Sequence, residues 1–175
     1  MLASLKNPPR MVITDSQAFG KVAKAVPREI PLTSFSILFA RYKGNLESQV
    51  RGAAILGKLK SGDRILISEG CTHHRQCGDI GTVKMPRWIS DFSGAEIDFD
   101  FTSGGEFPRD LSKYKLIVHC GACMLNEAEM TSRVGAAKVQ GIPMVNYGVA
   151  SAHMNGILSR SLELFPSVKE QVYCY

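Results

Sequence analysis

The stretch Lys115-Leu-Ile-Val-His-Cys-Gly-Ala-Cys123 joins an apolar run to two cysteines three positions apart. A short apolar run that is bounded by turn signals is typical of a buried strand. We therefore predict a strand over 115–118, with His119 and Cys120 at its carboxyl end. Two thiols at this spacing, with an imidazole beside them, can converge on one metal centre.

Short β-rich runs alternate with amphipathic helical patterns along the rest of the chain. Asn126 suits a helix N-cap and Gly141 suits the residue after a helix, so a helix is predicted over 126–140. Such alternation predicts an α/β fold in which helices flank a mostly parallel sheet. The other predicted strands are 11–14, 64–68, 96–101 and 143–147. The other predicted helices are about 15–25, 33–44, 45–59, 84–92 and 150–164, the last ended by Pro166.

A second group of soft metal ligands, Cys71-Thr-His73-His74, follows the predicted strand over 64–68. In open parallel sheets, binding sites form in the crevice outside the carboxyl ends of the strands. Because both Cys/His groups follow strands, we expect them to form one metal site at the carboxyl-terminal edge of the sheet. The helix that begins after Cys123 adds a dipole whose amino-terminal end favours anionic thiolates.

The residue types leave the identity of the metal open. Three thiolates and one histidine complete a tetrahedral zinc site. An iron–sulfur cluster takes thiolates first, usually four, so three cysteines leave one iron with a weaker ligand. The three thiolates are Cys71, Cys120 and Cys123, and the candidates for the weaker ligand are His73, His119, Asp79, Glu127 and water.

Composition narrows the class of protein. The chain has 175 residues, 45% of them hydrophobic, which is enough for one domain or slightly more with a core. It has no long apolar run and no signal-peptide layout, so we expect no membrane span and a cytoplasmic location. Five cysteines, an odd number, argue against a disulfide framework. The net charge is +5, but Lys and Arg are scattered, so we expect no nucleic-acid partner.

The two Cys/His groups together carry a resemblance. Cys71-Thr-His73, followed after 45 intervening residues by His119-Cys-Gly-Ala-Cys123, resembles the CxH…HCxxC signature of the FeFe-hydrogenase maturation GTPase family, HydF. Residues 12–17, 38–44 and 145–148 are also similar to that family. The resemblance covers essentially the whole chain.

The resemblance implies a 4Fe–4S cluster that is held by Cys71, Cys120 and Cys123 and keeps an exchangeable fourth position. Some family members use a carboxylate after the first cysteine there, and Asp79 is the nearby carboxylate here. Cys77 is a competing candidate for that position. His73 and His119 match the motif and are candidates for iron ligands or for hydrogen bonds to a bound precursor. The resemblance also implies a homodimeric scaffold whose partners include radical-SAM maturation proteins. This scaffold carries a diiron precursor of the H-cluster and hands it to apo FeFe-hydrogenase.

We expect this chain to lack the GTPase domain that is N-terminal in the family, and so not to be an enzyme. The sequence from Gly52 to Lys58 has the glycine and lysine spacing of a phosphate-binding loop, but Leu59 follows it where such a loop needs Ser or Thr. Residues 1–32 are predicted to be the C-terminal part of the dimerisation domain, and residues 33–175 the cluster-binding domain.

A different class of function fits the same residues. A zinc-binding, hydrolase-like enzyme would use Cys71, Cys120 and Cys123, leave one position open for water, and take Asp79 or Glu127 as its base. One zinc ion without inorganic sulfide would favour this alternative over the cluster scaffold.

Overall fold

The computed structural model describes residues 6–15, 18–43, 45–70, 79–122 and 124–173. These segments form a two-stranded and a four-stranded sheet, both parallel, with helices packed around them. The predicted α/β class, a parallel sheet flanked by helices, is therefore confirmed.

The smaller sheet pairs strands β1 (Val12–Thr14) and β2 (Leu32–Ser34), which helix α1 (Phe19–Ala25) connects. The sequence had predicted that residues 33 and 34 begin a helix, and this was wrong. Ser34 instead caps helix α2 (Phe35–Tyr42), since its side chain accepts a hydrogen bond from the Ile37 amide at 3.4 Å. All three residues of β2 are buried, so pairing with β1 outweighs the helical pattern.

The larger sheet has the strand order β4-β3-β5-β6, with β3 (Arg64–Ser68) and β5 (Leu116–His119) in its centre. Strand β4 (Asp98–Thr102) and strand β6 (Met144–Asn146) lie at its edges. The register places the last residues of all four strands side by side. The carboxyl-terminal edge of the sheet therefore presents Thr102, Ser68, His119 and Asn146 in one row.

The remaining helices of the described segments are α3 (Leu46–Ala53), α4 (Met85–Ser93), α5 (Glu127–Val139), α6 (Tyr147–Met154), α7 (Leu158–Ser161) and α8 (Pro166–Tyr173). A 3₁₀ turn (Leu56–Lys58) follows α3, and a π-helical turn (Ile80–Lys84) precedes α4. No helix in these segments is long and apolar enough to span a membrane.

The last predicted helix, 150–164, differs most from the structure. It begins earlier, at Tyr147, because the Asn146 side chain caps it by accepting from the Val149 amide at 2.8 Å. It ends at Met154, shortly before Gly156 at a φ of +70°. Pro166 starts helix α8 rather than ending a helix, as suits a residue whose missing N–H is not needed in a first turn.

Strands β3, β5 and β6 of the larger sheet are buried on both faces, to which the residues of each strand point alternately. Helices α2, α3, α4 and α6 cover one face, which carries Ile65, Ile67, Leu116 and Val118. Helix α5 covers the other, which carries Leu66 and Ile117. This packing leaves the carboxyl-terminal edge as the place where polar and metal-ligating side chains can meet.

Candidate metal centre

The structure describes three of the six predicted site residues, namely His119, Cys120 and Asp79. Cys71, His73 and Cys123 lie outside the described residues. Within the described ranges no group of three or more His, Cys, Asp or Glu side chains could hold a metal ion. Two of the three predicted thiolates are outside those ranges, so the three-thiolate site stays a prediction.

Cys120 directly follows strand β5, at the edge where the sequence placed it. Its amide donates to the Ser68 carbonyl at 2.9 Å and so continues the pairing with β3. Its sulfur accepts two backbone hydrogen bonds, from the Gly70 amide at 3.1 Å and from the Ala122 amide at 3.4 Å. Two backbone N–H groups directed at one cysteine sulfur are a geometry that is also found around cluster-bound cysteines.

The turn after Cys120 is held in a sparsely populated conformation. Ala122 has a φ of 55°, in the left-handed region, which costs an alanine roughly 1 kcal/mol. The Lys43 ammonium donates to the Ala122 carbonyl at 2.6 Å, so a side chain from the end of α2 helps to fix this turn. The result is that the Ala122 amide points back at the Cys120 sulfur.

His119 is fully buried and both of its ring nitrogens are in hydrogen bonds. Nδ1 lies 2.8 Å from the Cys120 carbonyl oxygen, and Nε2 lies 3.2 Å from Nη1 of Arg133. Burial lowers the pKa of His119 to about 4, against the hydrogen bond to the Cys120 carbonyl and together with the nearby Arg133 charge. His119 is therefore neutral at pH 7, and direct ligation of iron through Nε2 would displace Arg133.

Asp79 caps the π-helical turn that precedes α4. Its Oδ2 accepts from the Gly81 amide at 3.0 Å, the Thr82 amide at 2.9 Å and the Thr82 hydroxyl at 3.0 Å. Burial raises the pKa of Asp79, but these hydrogen bonds outweigh it and hold the pKa below its ordinary value. The carboxylate is thus ionised, and an iron ion at Oδ2 would compete with three donors.

Glu69 and Tyr147 form a buried polar pair at the same edge, which the sequence reasoning missed. The Tyr147 hydroxyl donates to Glu69 Oε1 at 3.4 Å, and both residues are buried. Burial, then the negative charges of Glu69, Cys120 and Asp79, raise the pKa of Tyr147. Gly81 fits against the pair, since a Cβ there would overlap both polar groups. The sequence does contain a signal for these two residues, because Glu69 and Tyr147 each directly follow a strand.

Arg133 is a third residue that the sequence reasoning missed. It lies on α5 with a side chain that is only 1% exposed, and its Nε donates to Glu129 at 2.8 Å. A Glu and an Arg four residues apart on a helix usually form a surface pair. That ordinary pattern gives no sign that this arginine reaches the centre of the site.

Comparison with known families assigns both parts of the chain. The Hydrogen maturase F tetramerization domain matches residues 47–164, which is more than half of the chain. The Hydrogen maturase F dimerization domain matches residues 1–44. The chain belongs to the hydrogen maturase F family. A comparison with curated proteins found no match.

Membership of the hydrogen maturase F family confirms the resemblance that the Cys/His motif suggested. It places the chain in hydrogenase maturation, and both of its matched domains are named for oligomerisation. The predicted division of the chain between residues 32 and 33 stays a prediction, and so do the assignments of the six site residues.

Proposed function

We propose that this chain binds a 4Fe–4S cluster through Cys71, Cys120 and Cys123. In this proposal it serves as a cytoplasmic scaffold that holds a diiron precursor of the H-cluster and transfers it to apo FeFe-hydrogenase. Membership of the hydrogen maturase F family supports a role in maturation. The observation that carries the cluster assignment is the pair of amides that donate to the Cys120 sulfur.

These two amides belong to Gly70 and Ala122. The next residues in the sequence are Cys71 and Cys123, the other two proposed ligands. Backbone N–H groups that donate to cysteine sulfur are a recurrent means of tuning iron–sulfur clusters. The Cys120 sulfur thus contacts the residue before each of the other two proposed ligands, which supports a shared three-thiolate site.

Three thiolates suit a four-iron cluster with one iron left for another ligand. When bound, such a cluster supplies an open coordination position to which a precursor can attach. Among the candidates for the fourth ligand, His119 has both ring nitrogens in hydrogen bonds and Asp79 has three donors on Oδ2. These existing hydrogen bonds make His119 and Oδ2 of Asp79 weaker candidates, so we propose His73, Glu127 or an exchangeable ligand such as water at that iron.

We further propose a role without catalysis for this chain. Gly52 is the first glycine of the sequence that has phosphate-binding-loop spacing. It lies within α3, where an added Cβ would overlap the Met144 carbonyl of β6. Its small size is thus required for packing rather than for cradling phosphate. A second copy of the chain and radical-SAM maturation proteins complete the proposed set of partners, beside apo-hydrogenase.

Anaerobic reconstitution with iron and sulfide tests the ligand assignment. Cys71→Ala, Cys120→Ala and Cys123→Ala should each lose most of the bound iron, because the cluster then has only two protein thiolates. Cys174→Ala is the matched control and should bind as much iron as the wild type. Equal iron in all four variants would refute the assignment.

Transfer is tested separately, with protein that has been loaded with a synthetic diiron precursor. Mixing it with apo FeFe-hydrogenase should restore hydrogen evolution, and Cys120→Ala loaded in the same way should restore little. Activation that is equal with the variant, or with the free precursor at the same concentration, would refute the scaffold role.

A further inference from the structure

The side chain of Arg133 joins four parts of the fold around the candidate metal centre. Its Nη1 lies 3.3 Å from the Ser68 hydroxyl at the end of β3 and 3.2 Å from His119 Nε2 at the end of β5. Its Nη2 donates to the Gly104 carbonyl, after β4, at 2.6 Å. Its Nε is bonded to Glu129 on its own helix.

This arginine is held more firmly than an ordinary surface cation. It is the largest of the fully buried side chains in the described segments. The guanidinium carbon lies 5.2 Å from the centre of the Phe107 ring, which adds a cation–π contact. A charge is costly to bury without partners, so a site that satisfies four of its five N–H groups defines its position closely.

The contacts of His119 determine its tautomer. A carbonyl oxygen only accepts hydrogen bonds, so Nδ1 carries the hydrogen that is directed at Cys120. A guanidinium only donates, so Nε2 is unprotonated and accepts from Arg133. Arg133 and the Cys120 carbonyl therefore hold the imidazole ring from opposite sides.

We propose that Arg133 is a positioning residue of the cluster site. It fixes the His119 ring in one tautomer and ties the ends of β3 and β5 together, so that the backbone around Cys120 stays in place. His119 then acts through its bond to the Cys120 carbonyl and not as an iron ligand. This inference rests on the proposed cluster function, but its first test does not require the cluster.

The first test is the tautomer of His119 in iron-free protein, by NMR after labelling histidine with ¹⁵N. Protonated and unprotonated ring nitrogens differ widely in ¹⁵N chemical shift. The chain has four histidines, and the signals of His119 are those that are missing from the spectrum of His119→Asn. The wild type should show Nδ1–H with unprotonated Nε2. Arg133→Met should lose this single tautomer, whereas Lys138→Met, a change to an exposed cation on the same helix, should keep it.

The second test is the midpoint potential of the reconstituted cluster. A buried cation near a cluster stabilises its reduced, more negative state. Arg133→Met should therefore lower the potential, Arg133→Lys should lower it less, and Lys138→Met should leave it unchanged. His119→Gln, whose side-chain oxygen can still accept from Arg133, should bind as much iron as the wild type.

The possible contrary results refute different claims. Protonated Nε2 in the iron-free wild type contradicts the positioning role, as does an equal potential in Arg133→Met and wild type. A strong ¹⁴N coupling in the EPR spectrum of the reduced cluster that disappears in His119→Gln would make His119 a ligand and overturn the inference. If the wild type takes up no cluster, the proposed function fails, and the tautomer measurement still decides the role of Arg133.

Discussion

At the scale of single residues, the Cys120 sulfur is a candidate thiolate because two backbone amides are directed at it. The sequence placed Cys120 correctly at the end of a strand, since an apolar run followed by a polar motif marks a strand end. It did not reveal the residues that support it. Glu69 and Tyr147 are far from Cys120 in sequence, and the sheet register brings them near it. Arg133 lies on α5, and the packing of this helix against the sheet brings its side chain to His119.

His119 makes the stability of the iron-free protein depend on pH. Its pKa is about 4 in the folded protein, against 6.5 for an unperturbed histidine. As pH falls below 6.5 the unfolded chain takes up a proton that the folded chain does not, so stability decreases until about pH 4. Between pH 6.5 and pH 4 this loss of stability amounts to about 3 kcal/mol.

Urea denaturation of iron-free protein between pH 7 and pH 4 measures this effect. The wild type should lose stability more steeply than His119→Asn, which has no imidazole to protonate at this position. His153 also has a pKa that burial lowers, but it is present in both proteins and cancels in the difference. Parallel pH dependences of the two proteins would show that His119 is not held neutral by the fold.

At the scale of elements, the sequence predicted the strands of the larger sheet because each is a distinct apolar or alternating run. It missed β2, a three-residue strand whose pairing with β1 is not encoded in a local pattern. It also joined α6 and α7 into one helix, since the apolar spacing continues across Gly156. Tertiary contacts and turn conformation decided both cases, and neither changes the position of the candidate site.

The contact between α3 and β6 depends on Gly52. A Cβ at this position would overlap the Met144 carbonyl oxygen, which is backbone and cannot rotate away. Gly52→Ala should therefore destabilise the protein by about 1–3 kcal/mol, as overpacking of a core does. Gly57→Ala is the matched control, because a Cβ there meets nothing within 4 Å. Thermal unfolding of both variants checks this, and equal melting temperatures would contradict it.

At the scale of the whole molecule, the segments that match the two oligomerisation domains share one hydrophobic core. Phe19 and Ile37 from the first pack in the same cluster as Val50 and Val145 from the second. The sequence divided the chain by resemblance to family domains, and that reasoning does not show how closely the parts pack. Packing of this kind predicts that the two segments unfold together.

Arg160 links the two ends of the chain. Its buried guanidinium donates to four carbonyls of the N-terminal segment, those of Ala23, Val26, Pro27 and Ile30, at distances of 2.6 to 3.1 Å. Arg160→Met should cost about 3 kcal/mol, because these carbonyls lose their donor. Arg28→Met, which removes an exposed ion pair of 3.8 Å, should change stability by less than about 0.5 kcal/mol. Urea unfolding tests both, and a similar midpoint for the two variants would contradict this role.

The central claim is that three cysteines, of which Cys120 lies at the carboxyl-terminal edge of the sheet, hold an iron–sulfur cluster. Quantification of iron, zinc and acid-labile sulfide in anaerobically reconstituted wild-type protein tests it most directly. The claim predicts about four irons and four sulfides per chain. One zinc ion per chain with no inorganic sulfide would contradict it and favour the zinc-binding, hydrolase-like alternative.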